Sequence, residues 1–288
     1  MKNSDWPRAE VKRLAQSSGK PLEVQCAQVF LAAGWTARLS SHFADRWLET
    51  ERELDILAIK EDVVKPWDLP FRLRLLISCR GFPPGRSPLT YSVTTSNVPS
   101  FAPRLVSTYR SRQGFGLLPD LESASASQLL LMTSLNGARP LIAFDMIERN
   151  ETARRNSGKG QSEPTVSYQR CGDRQLLFPA VDSCIKAAFY WSQEDYHSVQ
   201  PSFVSLNVPV CVLGLPFWDV CIDGGTVAEP ELLRRGYLTD AYPSQPSFRQ
   251  VTTFVWAAED LRSLVAALDN LFCWFRDQLS KPELARDW

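Results

Sequence analysis

Two short stretches, residues 52–58 and 75–81, place polar side chains inside apolar runs, and these polar residues could do metal or phosphate chemistry. Asp55 lies in the first stretch, and Ser78 and Arg80 lie in the second. A carboxylate in such surroundings is costly unless it meets a metal ion, a cation or a hydrogen bond. Carboxylate oxygens suit Mg²⁺, and arginine binds phosphate as a fork of two donors. The two stretches therefore indicate one polar site built on neighbouring strands.

Each stretch is predicted to form a buried strand. The side chains of a strand alternate between its two faces. Leu54, Ile56 and Ala58 are thus expected on one face of the first strand. Glu53 and Asp55 are expected on the opposite face. The alternation predicts that the two acidic side chains share one side of a sheet whose other side is apolar.

The elements that position these strands are predicted from the apolar pattern. Residues 21–34 are predicted as a helix, because proline suits the first helical turn and glycine suits the position just past the end. Apolar residues at helical spacing predict two further helices, at 174–193 and 259–279. The other predicted elements are an extended segment near 36–41, a loop at 61–71, a hairpin joining 208–213 to 217–222, and a strand at 250–256.

The middle of the chain has a weaker pattern. Residues 83–172 are predicted to be an insertion into the core or a small satellite layer, with short strands at 128–133 and 141–147. The polar segment 150–164 is predicted as a mobile loop. The domain division is then a first part of the core at 1–82, the insertion at 83–172, and a second part of the core with the C-terminal helix at 173–288.

Composition limits the class of protein. The chain has 288 residues, of which 44% are hydrophobic and 22% charged, as in an ordinary globular protein. Its 32 basic and 32 acidic residues cancel, so binding to nucleic acid would need a local basic patch. Seven scattered cysteines without a C-x-x-C pair favour reduced thiols in a cytoplasmic protein. The longest apolar run, residues 208–218, is too short to span a bilayer, so no membrane partner is expected.

The order of elements and the two polar stretches resemble the PD-(D/E)XK, or restriction-endonuclease-like, nucleases. In that family an acidic residue on one strand is followed, one strand later, by a Glu-x-Lys motif. Here Asp55 matches the acidic residue, and Ser78-Cys79-Arg80 stands where Glu-x-Lys belongs. The resemblance implies an α/β fold with a restriction-endonuclease-like core, in which a central mixed sheet is flanked by helices and interrupted by an inserted region.

The resemblance also implies roles for individual residues. Asp55 and Glu23 match the catalytic carboxylates, Ser78 replaces the second metal ligand, and Arg80 replaces the lysine that orients or activates water. The implied metal ligands are Asp55 and Glu53, and Mg²⁺ is the cofactor if the chain is active. A serine hydroxyl is a weak neutral ligand for Mg²⁺, and arginine cannot release a proton near neutral pH. The motif therefore predicts an inactive homologue of these nucleases.

Each of these residues also has a structural interpretation, which the sequence leaves open. Glu23, in the first turn of a helix, could be a surface partner of the helix dipole. Asp55 could form a salt bridge with Arg80 or Arg74 across the sheet instead of marking a vestigial metal site. Glu53 could be a solvated charge at the end of a strand.

Three functions follow from these alternatives. The first is a degenerate restriction-endonuclease-like domain that binds nucleic acid or a partner protein without cutting. The second is an active Mg²⁺-dependent DNase that uses Asp55, Glu23 and Glu53. The third is a structural or interaction protein with no role in nucleic-acid metabolism.

A local basic cluster follows the second short strand of the insertion. If nucleic acid is the partner, the binding surface is predicted to join Arg80 to this cluster. A solvated loop face is the alternative interpretation. The cluster consists of Arg149, Arg154, Arg155 and Lys159.

Overall fold

The computed structural model describes residues 8–45, 49–65, 67–83, 85–93, 104–111, 114–116, 119–134, 139–152, 165–171, 177–196, 202–223, 225–242 and 249–281. Within these ranges the helices are α1 (Arg8–Ser17), α2 (Lys20–Ala32), α3 (Pro119–Ser134), α4 (Leu177–Tyr196) and α5 (Leu261–Leu279). The strands of the first half are β1 (Thr36–Asp45), β2 (Thr50–Val64), β3 (Leu69–Arg80), β4 (Arg86–Val93), β5 (Val106–Ser111), β6 (Gly114–Gly116), β7 (Arg139–Thr152) and β8 (Thr165–Cys171). Those of the second half are β9 (Phe203–Leu213), β10 (Phe217–Asp223), β11 (Thr226–Val227), β12 (Glu231–Leu233), β13 (Arg235–Tyr242) and β14 (Arg249–Ala257).

These strands join into one mixed sheet. β1, β2 and β3 form an antiparallel meander, β3 pairs in parallel with β9, and β9 pairs in parallel with β14. From β14 the order continues through β13, β7, β4 and β10 to β11. The chain passes through α4 before it enters β9, because two parallel neighbours need a crossover connection. The fold is therefore α/β, with a large mixed sheet flanked by helices, and this part of the prediction is confirmed.

Apolar side chains cover both faces of the central strands. On one face, Ile77 of β3 and Val210 of β9 pack with residues of α2 and α5. On the other face, Leu76 of β3 and Cys211 of β9 pack with residues of α4. Every residue of β9 is buried, as expected of a central strand in a parallel part of a sheet. The candidate site lies on the neighbouring strands β2 and β3.

The remaining strands extend the sheet beyond β13. β7 pairs in parallel with β13 and antiparallel with β4 and β8, and β4 pairs in parallel with β10. The contact between β13 and β7 depends on Gly236, because a Cβ there would lie 2.6 Å from the side chain of Leu141. Strands of the region 83–172 thus share a sheet with the core, and the proposed domain boundaries stay a prediction.

Residues 128–133 form part of helix α3, so the prediction of a strand there is wrong. The buried residues Glu122, Ala126 and Leu129 recur at helical spacing and define the inner face of this helix. The apolar run at 128–133 includes only the last part of this inner face, so the helical spacing is not visible within the run. A run this short fits a buried strand and a helix equally well.

The predicted loop at 61–71 is also wrong, because β2 continues to Val64 and β3 begins at Leu69. Both residues are buried in the cluster that includes α5. Phe71 stacks on Phe272 of α5, with ring centroids 4.7 Å apart, so packing against the helix stabilises the end of the hairpin.

The predicted hairpin between 208–213 and 217–222 does not form. These residues lie in β9 and β10, and β9 has β3 and β14 as its neighbours at this level. β10 instead pairs with β4, in the extension of the sheet. A continuously apolar strand is consistent with either arrangement. The hairpin is excluded because β3 and β14 occupy the two edges of β9.

The other regular elements lie where the sequence predicts them. The helices predicted at 21–34, 174–193 and 259–279 correspond to α2, α4 and α5, the last preceded by a short 3₁₀ turn. In the segment predicted as a mobile loop, β7 runs to Thr152, and residues 153–164 lie outside the described residues. Among the described residues, Cys26, Cys79, Cys184, Cys211, Cys221 and Cys273 are free thiols. No described helix is long and apolar enough to cross a membrane.

Candidate functional site

The site begins with an irregularity between β1 and β2. Residues on either side of Ser40 and Asp55 pair in one constant register, but these two residues are missing from the ladder. Ser40 has a φ of +52°, a conformation that residues with a side chain adopt infrequently. The regular alternation of β2 is broken at this point.

The broken alternation corrects the prediction that Leu54, Ile56 and Ala58 share one face. Ile56 and Ala58 pack in the cluster of α2 and α5, as expected of alternate residues. Leu54 packs instead with Leu57 in the cluster of α4. Because a strand changes face at an irregular residue, periodicity alone could not assign Leu54.

Asp55 lies at this irregular point and accepts three hydrogen bonds on one carboxylate oxygen. Its Oδ2 atom is 3.0 Å from Ser78 Oγ, 2.6 Å from the backbone nitrogen of Cys79 and 3.1 Å from Nη1 of Arg80. The β2–β3 ladder ends at Ile56 and Ile77, one residue before this contact. The carboxylate therefore replaces a backbone acceptor just past the end of the ladder.

Arg80 supplies the positive charge that compensates Asp55. Its Nη1 atom also donates to the carbonyl of Cys79, at 2.8 Å, and about a quarter of its side chain is exposed. Arg74, the other partner considered for Asp55, forms a buried two-pronged salt bridge with Asp195, with distances of 2.7 and 2.6 Å. Of the two arginines considered as the partner of Asp55, Arg80 therefore forms the salt bridge.

The other two acidic candidates share a second cation, Lys20. Its Nζ atom is 2.9 Å from Glu23 Oε2, 3.0 Å from Glu53 Oε1 and 3.2 Å from Ser40 Oγ. Glu23 is buried in the first turn of α2, and Glu53 is half-exposed on β2. Lys20 thus joins the start of α2 to the strand that carries Asp55.

The ionisation of this second cluster follows from its hydrogen bonds. The bonds with Glu23 and Glu53 raise the pKa of Lys20 above its usual value, because they stabilise the ammonium form. The hydrogen bond from Ser40 and that from Lys20 lower the pKa of Glu53. Lys20 is therefore charged over the working pH range, and Glu53 is a carboxylate.

Buried thiols connect the two clusters with the core. A hydrogen bond with Cys26, together with burial, raises the pKa of Cys79 well above its usual value. Cys26 lies one turn after Glu23 in α2, so the helix that carries Glu23 contacts the strand segment that binds Asp55. On the opposite side, burial raises the pKa of Cys211 to about 12 although the charge of Arg80 opposes it. The thiols of Cys79 and Cys211 are therefore neutral near pH 7 and act as core residues.

The arrangement does not suit Mg²⁺ as it stands. Asp55 is compensated by Arg80, and Glu23 and Glu53 are compensated by Lys20. Among the described residues there is no group of three or more histidine, cysteine, aspartate or glutamate side chains that could hold a metal ion. A metal ion would have to displace protein cations from the carboxylates.

Lys20 is a member of the site that was not predicted from the sequence. Its position three residues before Glu23, at the start of a predicted helix, was the available signal. The contact of Lys20 with Glu53 spans 33 positions of the sequence and had no local signal. Of the predicted basic cluster, Arg149 is exposed on β7, whereas Arg154, Arg155 and Lys159 lie outside the described residues.

Comparison of the chain with family models, with curated proteins and with solved structures finds no match.

Proposed function

We propose that this chain is a restriction-endonuclease-like domain that binds nucleic acid without cleaving it. The observation that carries the proposal is the charge compensation of all three candidate carboxylates by Arg80 and Lys20. In a metal-dependent nuclease, divalent cations would compensate carboxylates in these positions.

The order of elements supports the nuclease-like part of the proposal. A helix (α2), an antiparallel meander of three strands (β1 to β3), a second helix (α4) and a parallel strand (β9) occur in this order, and β4 to β8 and α3 separate β3 from α4. The resemblance implies this order for the core. Asp55 lies on the second strand of the meander, and Ser78 and Arg80 lie on the third.

The chemistry of the site supports the absence of cleavage. Ser78 offers a neutral hydroxyl, and this hydroxyl already donates to Asp55. Arg80 cannot act as a general base near neutral pH, because its guanidinium does not release a proton. The site therefore lacks both a second carboxylate in the Ser78 position and a lysine in the Arg80 position.

Binding to nucleic acid is supported by Arg80, which is partly exposed at the edge of the site. A guanidinium can donate two parallel hydrogen bonds to a phosphate group. Since the formal net charge of the chain is zero, the attraction must come from a local surface and should weaken as the salt concentration rises.

The test combines a cleavage assay with a binding assay. The purified protein is incubated with plasmid, linear and single-stranded DNA, and with RNA, in Mg²⁺ and in Mn²⁺. We expect no cleavage, together with salt-dependent binding measured by fluorescence anisotropy. Cleavage that disappears in Asp55→Ala would refute the proposal and favour an active DNase.

A matched pair of variants tests the role of Arg80 in binding. Arg80→Gln should weaken binding and lower the salt dependence, whereas Arg262→Gln, which removes an exposed arginine of α5, should leave both unchanged. Absence of binding at low salt would also refute the proposal and favour recognition of a partner protein.

A further inference from the structure

A groove of about 590 Å³ lies on the extension of the sheet, and its lining does not include Glu23, Glu53 or Asp55. The part of it that matters here is formed by residues of β4, β7, β8 and β10. These strands are neighbours in the order β8, β7, β4, β10. The lining includes Tyr168, Arg149, Ile147, Leu89 and Trp218.

The register of the strands sets the order of side chains along this groove. Tyr168 is paired with Arg149, and Leu89 is paired with Trp218. Leu89 lies opposite Asp145, four residues before Arg149 on β7. Three strand spacings and a shift of four residues put the backbones of Tyr168 and Trp218 about 20 Å apart. An elongated ligand is needed to reach both aromatic residues.

Both aromatic side chains are available to such a ligand. Tyr168 is 69% exposed and Trp218 is 39% exposed. Large aromatic side chains that remain exposed on one continuous sheet face are typical of an interaction surface. Their flat rings can stack on planar groups, and such stacking tolerates any nucleobase.

The charge of the groove favours an anionic ligand. Arg86 and Arg149 contribute to its wall, and the described residues that line it include no acidic side chain. Arg86 is half-buried, whereas the side chain of Arg149 is exposed on β7. We therefore assign the contact with phosphate to Arg149.

The groove lies close to the candidate site along the chain. Gly85, at one end of the groove, is five residues after Arg80. Five residues span at most about 18 Å. A flexible polymer bound in the groove can therefore also reach the exposed part of Arg80.

We propose that this groove binds single-stranded nucleic acid, with bases stacked on Tyr168 and Trp218 and phosphate bound by Arg149. The inference rests on the proposed function and specifies the class of nucleic acid. The bases of a duplex are stacked on one another and face inward, so their rings are not available to these side chains. A single strand is flexible and presents both its bases and its phosphates.

The test measures the affinity for a short fluorescein-labelled oligothymidine by anisotropy. Tyr168→Ala and Trp218→Ala should each weaken binding roughly 5-fold to 100-fold, the effect of losing one base–aromatic stack. Trp218→Phe should retain most of the affinity. The matched control is Trp67→Ala, because Trp67 is 41% exposed in the turn between β2 and β3, and this variant should bind like the wild type.

Salt dependence tests the contribution of Arg149 separately. On a single strand, removal of one phosphate contact lowers the slope of log affinity against log salt by about 0.7, and we expect this change in Arg149→Ala. The same oligonucleotide annealed to its complement should bind more weakly than the single strand. Urea denaturation verifies that each variant remains folded.

The outcomes separate this inference from the proposed function. If the wild type binds the oligonucleotide but Tyr168→Ala and Trp218→Ala bind equally well, the groove assignment is refuted and the proposed function stands. If duplex binds at least as tightly as single strand, the assignment to single strands is refuted. If the wild type binds no nucleic acid, both proposals are refuted. Cleavage that depends on Asp55, with the expected losses in the aromatic variants, refutes the proposed function alone.

Discussion

Replacement of Asp55 tests whether its carboxylate is a structural group or a metal ligand. In Asp55→Ala, Ser78 Oγ and the backbone N–H of Cys79 lose their acceptor. A buried donor left without a partner costs about 1–3 kcal/mol. Arg80 contributes less, because it is partly exposed and keeps its bond to the carbonyl of Cys79.

The two buried donors together predict a loss of about 2–4 kcal/mol for Asp55→Ala, toward the lower end of their summed cost because the carboxylate is partly exposed. Asp55→Asn keeps one oxygen that can accept from the Cys79 N–H, and it removes only the charge. We expect this variant to lose about 1–2 kcal/mol. The predicted order of stability is therefore wild type, then the asparagine variant, then the alanine variant.

Urea denaturation, followed by far-UV circular dichroism at neutral pH, measures this order. The urea concentration at the midpoint of unfolding should fall. The slope of the free energy of unfolding against urea concentration should stay constant, because the surface exposed on unfolding does not change. Glu51→Ala is the matched control on the same strand, since the Glu51 side chain is 74% exposed. We expect a change within about 0.5 kcal/mol for this control.

The opposite result would identify Asp55 as a functional residue held at a cost to stability. Neutralising a carboxylate that is poised for a metal ion often stabilises a protein, because activity and stability oppose each other at such sites. A midpoint for Asp55→Asn or Asp55→Ala equal to or above that of the wild type would therefore refute the structural interpretation of the three hydrogen bonds.

Two further predictions concern the cations of the site. Ser78→Glu with Arg80→Lys should raise the affinity for Mn²⁺ in calorimetry, because Ser78 Oγ lies 3.0 Å from Asp55 Oδ2 and a carboxylate there would face Asp55. The pKa of Glu53 is lowered from its usual value of 4.5, so ionised Glu53 stabilises the fold at pH values above 4.5. This contribution to the free energy of unfolding is lost as the pH falls through the lowered pKa. In Lys20→Met, the free energy of unfolding measured in urea should therefore fall less than in the wild type below about pH 4.5. The wild type should also lose stability above pH 10.5, as the pH rises through the raised pKa of Lys20, and this loss should be absent from the variant.

Each of these predictions has a control and a contrary outcome. Arg80→Lys alone separates the effect of the new carboxylate from that of the new amine, and an unchanged Mn²⁺ affinity in a folded double variant would contradict the alignment of β2 with β3. For the pH profile, Lys12→Met removes an exposed lysine of α1. If both lysine variants have the acid profile of the wild type, the contact of Lys20 with Glu53 does not contribute to stability.

Local pattern was sufficient to bring Asp55, Ser78 and Arg80 together. Two short apolar stretches identify the strands, and neighbouring strands of a meander place these polar residues side by side. The helices α2, α4 and α5 also follow from local signals, because their apolar faces repeat over several turns. The sequence left open whether Asp55 meets an arginine or a metal ion, and it offered both Arg80 and Arg74 as partners.

Tertiary structure decided the features that depend on distant residues. Pairing of β9 with both β3 and β14 excludes the predicted hairpin, although β9 and β10 are adjacent in the chain. Residues 128–133 belong to a helix whose Leu129 packs in the core, and Val64 and Leu69, which lie in strands, pack in the same cluster. A short apolar run has no intrinsic preference strong enough to determine these outcomes.

The charges of the site show the same division. The position of Asp55 between apolar residues was enough to predict that it needs a compensating partner, because a carboxylate in such surroundings is costly. Only the tertiary structure determined that Arg80 compensates Asp55 and that Lys20 joins Glu23 to Glu53. A local apolar pattern identifies a buried strand and the polar residue within it, whereas the choice of an ion pair depends on the close approach of elements far apart in the sequence.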